Sequence, residues 1–178
     1  MKTIGIDLDD VLNELCTSWI LNHYNQEYHD TLKLEDMICW NVEKYVKPEC
    51  GKKIYEILLR PNFFLNLRPK ENSQSVTNEL SKKYDLYVVT AYHPKTVVDK
   101  VEWIQTYFPH IDSRKVIFCN NKGLINTDWL IDDGAHNILD YYNNGGKNPI
   151  VFDRPWNRDL SLQFKRASDW LNIGSILL

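Results

Sequence analysis

The sequence predicts an α/β fold, in which helices cover both faces of a doubly wound, mainly parallel sheet. Short β-branched and aromatic runs alternate along the chain with longer segments of helical periodicity. One aromatic-rich stretch after the first strand is too long for a plain connection within a compact domain, and it predicts an inserted helical cap. We therefore expect one domain over residues 1–178, with a core of about 1–13 and 73–178 and a small cap of about 14–72.

The elements are predicted in chain order from these patterns. The first strand spans residues 3–8, and a helix over 10–28 follows it, with Leu12, Leu15 and Trp19 among its apolar positions. In the cap, residues 50–59 have helical spacing. The core then resumes with helices over 71–83, 94–108 and 135–142, strands over 84–89, 115–118, 128–132 and 149–152, and a terminal helix from about Leu160.

Two carboxylates follow the first strand. Asp7 and Asp9 are spaced i and i+2 at its carboxyl end, which is the edge where open α/β sheets bind ligands. They can converge on one ligand only if the chain bends as it leaves the strand. An acid-rich turn before a helix N-terminus is the structural alternative.

Polar side chains also follow three later strands. Thr90 ends the second strand, Lys122 follows the third, and Asp132 and Asp133 end the fourth. Each has an ordinary explanation when taken alone: a capping threonine, a solvated lysine, an acidic turn. Because all of them come just past a strand, we expect them to meet Asp7 and Asp9 in one site.

These motifs resemble those of the haloacid dehalogenase superfamily, whose core is Rossmann-like. Asp7-Leu8-Asp9-Asp10-Val11-Leu12, Thr90, Lys122 and Asp132-Asp133 are similar, in that order, to its four motifs. Residues 60–69, 128–133 and 151–158 resemble the 5′(3′)-deoxyribonucleotidase family within it. Two positions depart from the family pattern: Ala91, where relatives often carry a second hydroxyl, and Asp10, where many have glycine.

The resemblance implies a Mg²⁺-dependent phosphomonoesterase with an aspartyl-phosphate intermediate. Asp7 would be the nucleophile, and Asp9 would be the general acid and base. Thr90 and Lys122 would bind the phosphoryl oxygens. The metal would be held by Asp7, the backbone carbonyl of Asp9 and Asp132, and Asp133 would orient Lys122 or a metal-bound water.

The resemblance also implies that the cap selects a nucleoside monophosphate. Trp40, Phe63 and Phe64 would line a base pocket by stacking, although packing inside the cap is an alternative for each of them. Another small phosphomonoester, such as a sugar phosphate or phosphoglycolate, is an alternative substrate, and a catalytically weak nucleotide-binding protein is an alternative of another class. A response-regulator receiver is disfavoured, because it needs an aspartate where the strand ends in Thr90.

Composition and residue spacing exclude several kinds of binding partner and metal site. A net charge of −3 argues against binding a nucleic-acid polymer through a basic surface. The four cysteines have no zinc-type spacing, and we expect them to be reduced, buried thiols. The five histidines have no ligand spacing, so we assign the histidines no catalytic role. The chain begins directly with a strand and has no apolar run that could span a membrane, which predicts a cytoplasmic protein without a signal peptide. A homodimer is compatible with the sequence.

Overall fold

The computed structural model describes residues 1–160 and 163–178. Its sheet has six strands in the order β3-β2-β1-β4-β5-β6, and every neighbouring pair is parallel, which confirms the predicted fold class. The strands are β1 (Lys2–Ile6), β2 (Tyr84–Thr90), β3 (Val116–Phe118), β4 (Trp129–Asp132), β5 (Asn148–Phe152) and β6 (Lys165–Ala167).

The strand order reverses direction at β1. From β1 the chain moves outward through β2 to β3, and it then crosses back to place β4 on the other side of β1. A crevice opens outside the carboxyl ends of the strands at such a reversal, and ligands bind there. The backbone N–H of Asp7 donates to the Ile131 carbonyl over 2.9 Å, so the ends of β1 and β4 stay together where the crevice begins.

Helices cover both faces of the sheet. Ile4 and Ile6 of β1 face the larger core cluster with Trp170, whereas Val151 of β5 packs on the opposite face against Ile138. Alternate strand residues are therefore buried on each side, as a doubly wound sheet requires. The α-helices are α1 (Asn25–Glu27), α2 (Ser73–Ser81), α3 (Val97–Tyr107), α4 (Ala135–Asn143) and α5 (Trp170–Leu177).

Residues 14–72, which we call the insert, consist of short helical segments and connections. The chain enters and leaves the insert at one place, where Asn13 and Pro69 form an antiparallel bridge. Beside this bridge the Lys70 N–H donates to the Leu12 carbonyl over 2.7 Å. The insert contains a π-helix (Thr17–Tyr24) that runs into α1, and 3₁₀ segments at Leu34–Asp36, Val42–Lys44, Gly51–Leu59 and Phe64–Asn66.

The helix predicted over residues 10–28 begins later than expected. Asp10 has a φ of 60°, a left-handed value that a right-handed helix cannot contain. This residue stands in a turn, and its buried carboxylate accepts a hydrogen bond of 3.1 Å from the Cys16 N–H. Asp10 therefore turns the chain from β1 into the insert and fixes the start of the helical segment.

The end of the chain also differs from the prediction. Lys165–Ala167 forms the edge strand β6, and the predicted terminal helix begins only at Trp170. A strand of three residues, two of them basic, gives no periodic signal in the sequence. Residues 161–162 of the predicted helix lie outside the described residues. Within the residues described, no helix is both long and apolar enough to cross a membrane.

Candidate active site

Asp7 and Asp132 share a buried lysine at the end of β1 and β4. The Lys122 ammonium lies 2.5 Å from Asp7 Oδ1 and 2.5 Å from Asp132 Oδ2. Lys122 begins a 3₁₀ segment (Lys122–Leu124), and the side chain of Asn121 caps this segment by accepting the Gly123 N–H. All three charged side chains are buried. The capped 3₁₀ segment places the Lys122 ammonium between the two carboxylates.

The carboxylates around Lys122 carry more negative charge than the single ammonium can balance. Burial raises the pKa of Asp7 to about 7, and the neighbouring Asp132 carboxylate adds to the rise, while Lys122 opposes it. Burial also raises the pKa of Asp133 well above its ordinary value, with Asp7 contributing. Burial opposes the charge of Lys122, but Asp132 and Asp7 together hold its pKa above the ordinary value. One ammonium does not balance three carboxylates, and the surplus favours a bound cation.

The donor set of this cluster fits a hard cation. One carboxylate oxygen from each of Asp7, Asp132 and Asp133 can be chosen so that all lie within 4.8 Å of one another. Oxygen ligands of this kind are those that Mg²⁺ prefers. Asp133 Oδ1 is buried without a hydrogen-bond partner among the described residues, and an unpaired buried carboxylate oxygen is expensive unless something binds it.

The two carboxylates at the end of β4 have different surroundings. Asp132 Oδ1 accepts hydrogen bonds from the Gly134 N–H over 2.8 Å and from Asn137 over 3.0 Å, and its other oxygen accepts from Lys122. Asp133 Oδ2 accepts from the Trp156 indole over 2.9 Å, and its Oδ1 remains open. Asp133 lines the cavity described below, whereas Asp132 does not. The oxygen without a hydrogen-bond partner thus belongs to Asp133, whereas the sequence analysis expects Asp132 to be the metal ligand.

Asp9 is held by a lysine that the sequence analysis missed. Lys100 on α3 is buried, and its ammonium lies 2.7 Å from Asp9 Oδ2 and 2.9 Å from Thr90 Oγ1. Asn13 donates to the other oxygen of Asp9 over 3.1 Å. The Thr90 hydroxyl is fully buried and does not line the cavity in this structure, unlike the neighbouring Ala91. No motif pointed to Lys100, because it lies within a helix and not at a strand end.

A cavity of about 540 Å³ lies between the sheet edge and the insert. Asp7, Asp9, Lys122 and Asp133 line the side formed by the core. The insert contributes mostly apolar and aromatic side chains. These are Leu15, Cys16, Trp19, Met37, Cys39, Trp40, Asn41, Val42, Glu43, Tyr55 and Leu58.

Of the three aromatic residues expected to bind a base, only Trp40 lines this cavity. Its side chain is 53% exposed, and it meets His136 edge-on with ring centroids 4.8 Å apart. Phe63 and Phe64 are instead buried in the main core cluster and do not line this cavity. Trp19 and Tyr55 occupy the wall of the cavity, with centroids 5.8 Å apart.

The fold agrees with that of solved hydrolases of one superfamily. A haloacid dehalogenase-like hydrolase from Streptococcus pneumoniae superposes with a TM-score of 0.70 at 14% identity, covering 100% of this chain and 99% of that one. A second such hydrolase, from Bacillus subtilis and described as bound to magnesium, superposes with a TM-score of 0.61 at 13% identity, covering 99% and 98%. The chain therefore has the fold of these haloacid dehalogenase-like hydrolases.

Sequence comparison places the chain more narrowly, and it confirms the family resemblance. The chain belongs to the family described as "5′ nucleotidase, deoxy (Pyrimidine), cytosolic type C protein", whose model matches residues 1–178. A 5′(3′)-deoxyribonucleotidase of Clostridium acetobutylicum is 44% identical over 168 residues, covering 94% of this chain and 90% of the relative. A 5′(3′)-deoxyribonucleotidase of Bacillus subtilis is 40% identical over 181 residues, covering 99% of each.

Proposed function

We propose that this protein is a Mg²⁺-dependent 5′(3′)-deoxyribonucleotidase that hydrolyses deoxynucleoside monophosphates. One observation carries the proposal: a buried carboxylate, Asp7, opens into a cavity whose opposite wall is aromatic. A carboxylate in this position serves as a nucleophile toward phosphorus, and an aromatic wall serves to stack a base. The names of the relatives support the same substrate class.

The reaction proceeds in two balanced steps on the residues of this chain. An oxygen of Asp7 attacks phosphorus while the bond to the ester oxygen breaks, and the leaving oxygen takes a proton from Asp9. Asp9 then removes a proton from water as the water oxygen attacks the phosphorus. The bond between Asp7 and phosphorus breaks, inorganic phosphate leaves, and both carboxylates return to their first state.

The metal would be held by Asp7, Asp133 and the backbone carbonyl of Asp9. Support for Asp133, in place of the expected Asp132, comes from its open Oδ1 and from the full set of donors already on Asp132. When bound, Mg²⁺ supplies positive charge against the phosphate dianion. Lys122 contributes further positive charge beside Asp7, and Asp132 holds Lys122 in place.

Base binding is assigned to Trp40, Trp19 and Tyr55. The indole of Trp19 is fixed, because its Nε1 donates to the Ile54 carbonyl over 2.7 Å. A fixed ring loses little entropy when a base packs on it. We place the enzyme in the cytoplasm, an assignment supported by four cysteines that are all free.

The test is a phosphate-release assay with purified protein and Mg²⁺. Deoxynucleoside 5′- and 3′-monophosphates are compared with ribonucleotides, sugar phosphates and phosphoglycolate. We expect the highest kcat/KM on deoxynucleotides, complete loss with a chelator, and loss in Asp7→Asn. A higher kcat/KM on a sugar phosphate or phosphoglycolate would keep the chemistry but overturn the substrate. Full activity of folded Asp7→Asn would overturn the mechanism.

A further inference from the structure

Lys100 makes three contacts that meet at one ammonium. Besides Asp9 Oδ2 and Thr90 Oγ1, its Nζ lies 3.5 Å from the Ala91 carbonyl. The acceptors come from the loop after β1 and from the end of β2 and the residue after it, while the lysine itself comes from α3. The ammonium therefore joins α3 to the loop after β1 and to the end of β2, beside the candidate active site.

The surroundings of Lys100 constrain it further. The ammonium lies 4.8 Å from the centre of the Phe64 ring, and the lysine is only 3% exposed. Burying an ammonium is unfavourable unless it is paired, and Asp9 is the carboxylate with which it forms an ion pair. This explains the burial of Phe64, which closes the insert over the lysine and does not contact the cavity.

We infer that Lys100 is a positioning residue that orients Asp9 for proton transfer to the leaving oxygen. The inference rests on the proposed function, in which Asp9 is the acid. An ammonium donates hydrogen bonds and accepts none, so Asp9 Oδ2 must act as an acceptor while Lys100 is bound to it. Asn13 donates to Oδ1, so Lys100 and Asn13 together fix the plane of the Asp9 carboxylate and hold it toward the leaving oxygen.

This role makes the effect of Lys100 depend on the leaving group. A deoxynucleoside leaves as a poor alkoxide and needs the proton as the bond to phosphorus breaks. The p-nitrophenolate anion is stable and leaves without one. Removing a group that only orients the acid should therefore slow the first substrate far more than the second, whereas general disruption of the site should slow both.

The experiment measures release of the alcohol in the first turnover, with Mg²⁺ present, for a deoxynucleoside monophosphate and for p-nitrophenyl phosphate. For Lys100→Met, which keeps an unbranched side chain but removes the ammonium, we expect a loss of about 100-fold with the nucleotide, the size of effect that misplacing a reacting group produces. With p-nitrophenyl phosphate we expect less than a threefold loss. Lys115→Met is the matched control, because Lys115 also pairs with an aspartate, Asp85, and lies over an aromatic ring.

Two further variants make the result decisive. Lys100→Gln retains a donor of shorter reach, and it should show the same substrate contrast if Lys100→Met fails to fold. The inference is overturned, and Lys100 has a purely structural role, if every Lys100 variant that folds loses activity equally on the two substrates. The same conclusion follows if neither Lys100→Met nor Lys100→Gln folds. Asp9→Asn separates this from the proposed function: if that variant shows the contrast and the Lys100 variants do not, only the inference fails. If Asp9→Asn shows no contrast, Asp9 is not the acid.

Discussion

Lys122 should stabilise the fold as well as serve the site. Replacing it by methionine keeps most of the side-chain volume but leaves Asp7 and Asp132 without the ammonium that each contacts at 2.5 Å. Removing one partner of a buried ion pair costs roughly 3–5 kcal/mol, because an uncompensated charge remains. For a chain of 178 residues, this corresponds to a decrease in Tm of about 6–20 °C.

The assay is thermal unfolding at pH 8 with a chelator, followed by unfolding in excess Mg²⁺. Mg²⁺ should raise the Tm of Lys122→Met more than that of the parent protein, because it supplies the missing charge and binds only the folded state. Lys82→Met is the control: it breaks an ion pair with Glu79 whose lysine side chain is 60% exposed, and such pairs contribute about 1 kcal/mol or less. A Tm decrease below about 2 °C in Lys122→Met would refute the reasoning.

Three further predictions concern the metal, the base and the fold. Because burial raises the pKa of Asp7 to about 7, the metal-free protein binds this proton more tightly than the unfolded chain does, and the contribution of Asp7 to stability should fall as pH rises from about 4 through 7. Mg²⁺ should bind more weakly below pH 7 and should release a proton on binding, which calorimetry in buffers of different ionisation enthalpy would detect. Trp40→Ala should raise KM for deoxynucleotides by about fivefold to over 100-fold, from a stacking loss of roughly 1–3 kcal/mol, with little change for p-nitrophenyl phosphate. Phe64→Ala should instead lower the free energy of unfolding by about 3–5 kcal/mol, as measured by denaturant unfolding. Equal effects of the two variants on KM would contradict the pocket assignment. Asp169→Ala removes the side chain that accepts the Asn172 N–H and caps α5, so the free energy of unfolding should fall by about 0.5–2 kcal/mol with unchanged kcat, while Asp169→Asn should lose almost nothing.

The sequence was sufficient to predict those candidate site residues that directly follow a strand. Asp7, Lys122, Asp132 and Asp133 come together because the carboxyl ends of parallel strands share one edge, and that edge follows from the alternation of strands and helices. Which carboxylate keeps an open oxygen was not predictable. It depends on the Trp156 indole, a residue 23 positions beyond Asp133 whose approach is set only by the folded chain.

The missed features have a common physical cause. Lys100 is buried by contacts with residues from two other parts of the chain, and a lysine in a helix is ordinarily exposed. Phe63 and Phe64 are aromatic residues in the insert, but the side that each presents is set by tertiary packing and not by spacing. Short edge strands such as Lys165–Ala167 are defined by their neighbour, here β5, and leave no pattern of their own.

The central place of β1 in the sheet has a consequence for how the chain is made. Lys2 pairs with Tyr84 and Ile4 with Trp129, so β1 leaves the ribosome without its neighbours and remains unpaired until β2 has been synthesised. At about 5–20 residues per second, this wait lasts several seconds. The strand that leads to Asp7 therefore stays unpaired until β2 arrives, and the bridge between Asn13 and Pro69 joins the two ends of the insert that separates these strands in the sequence.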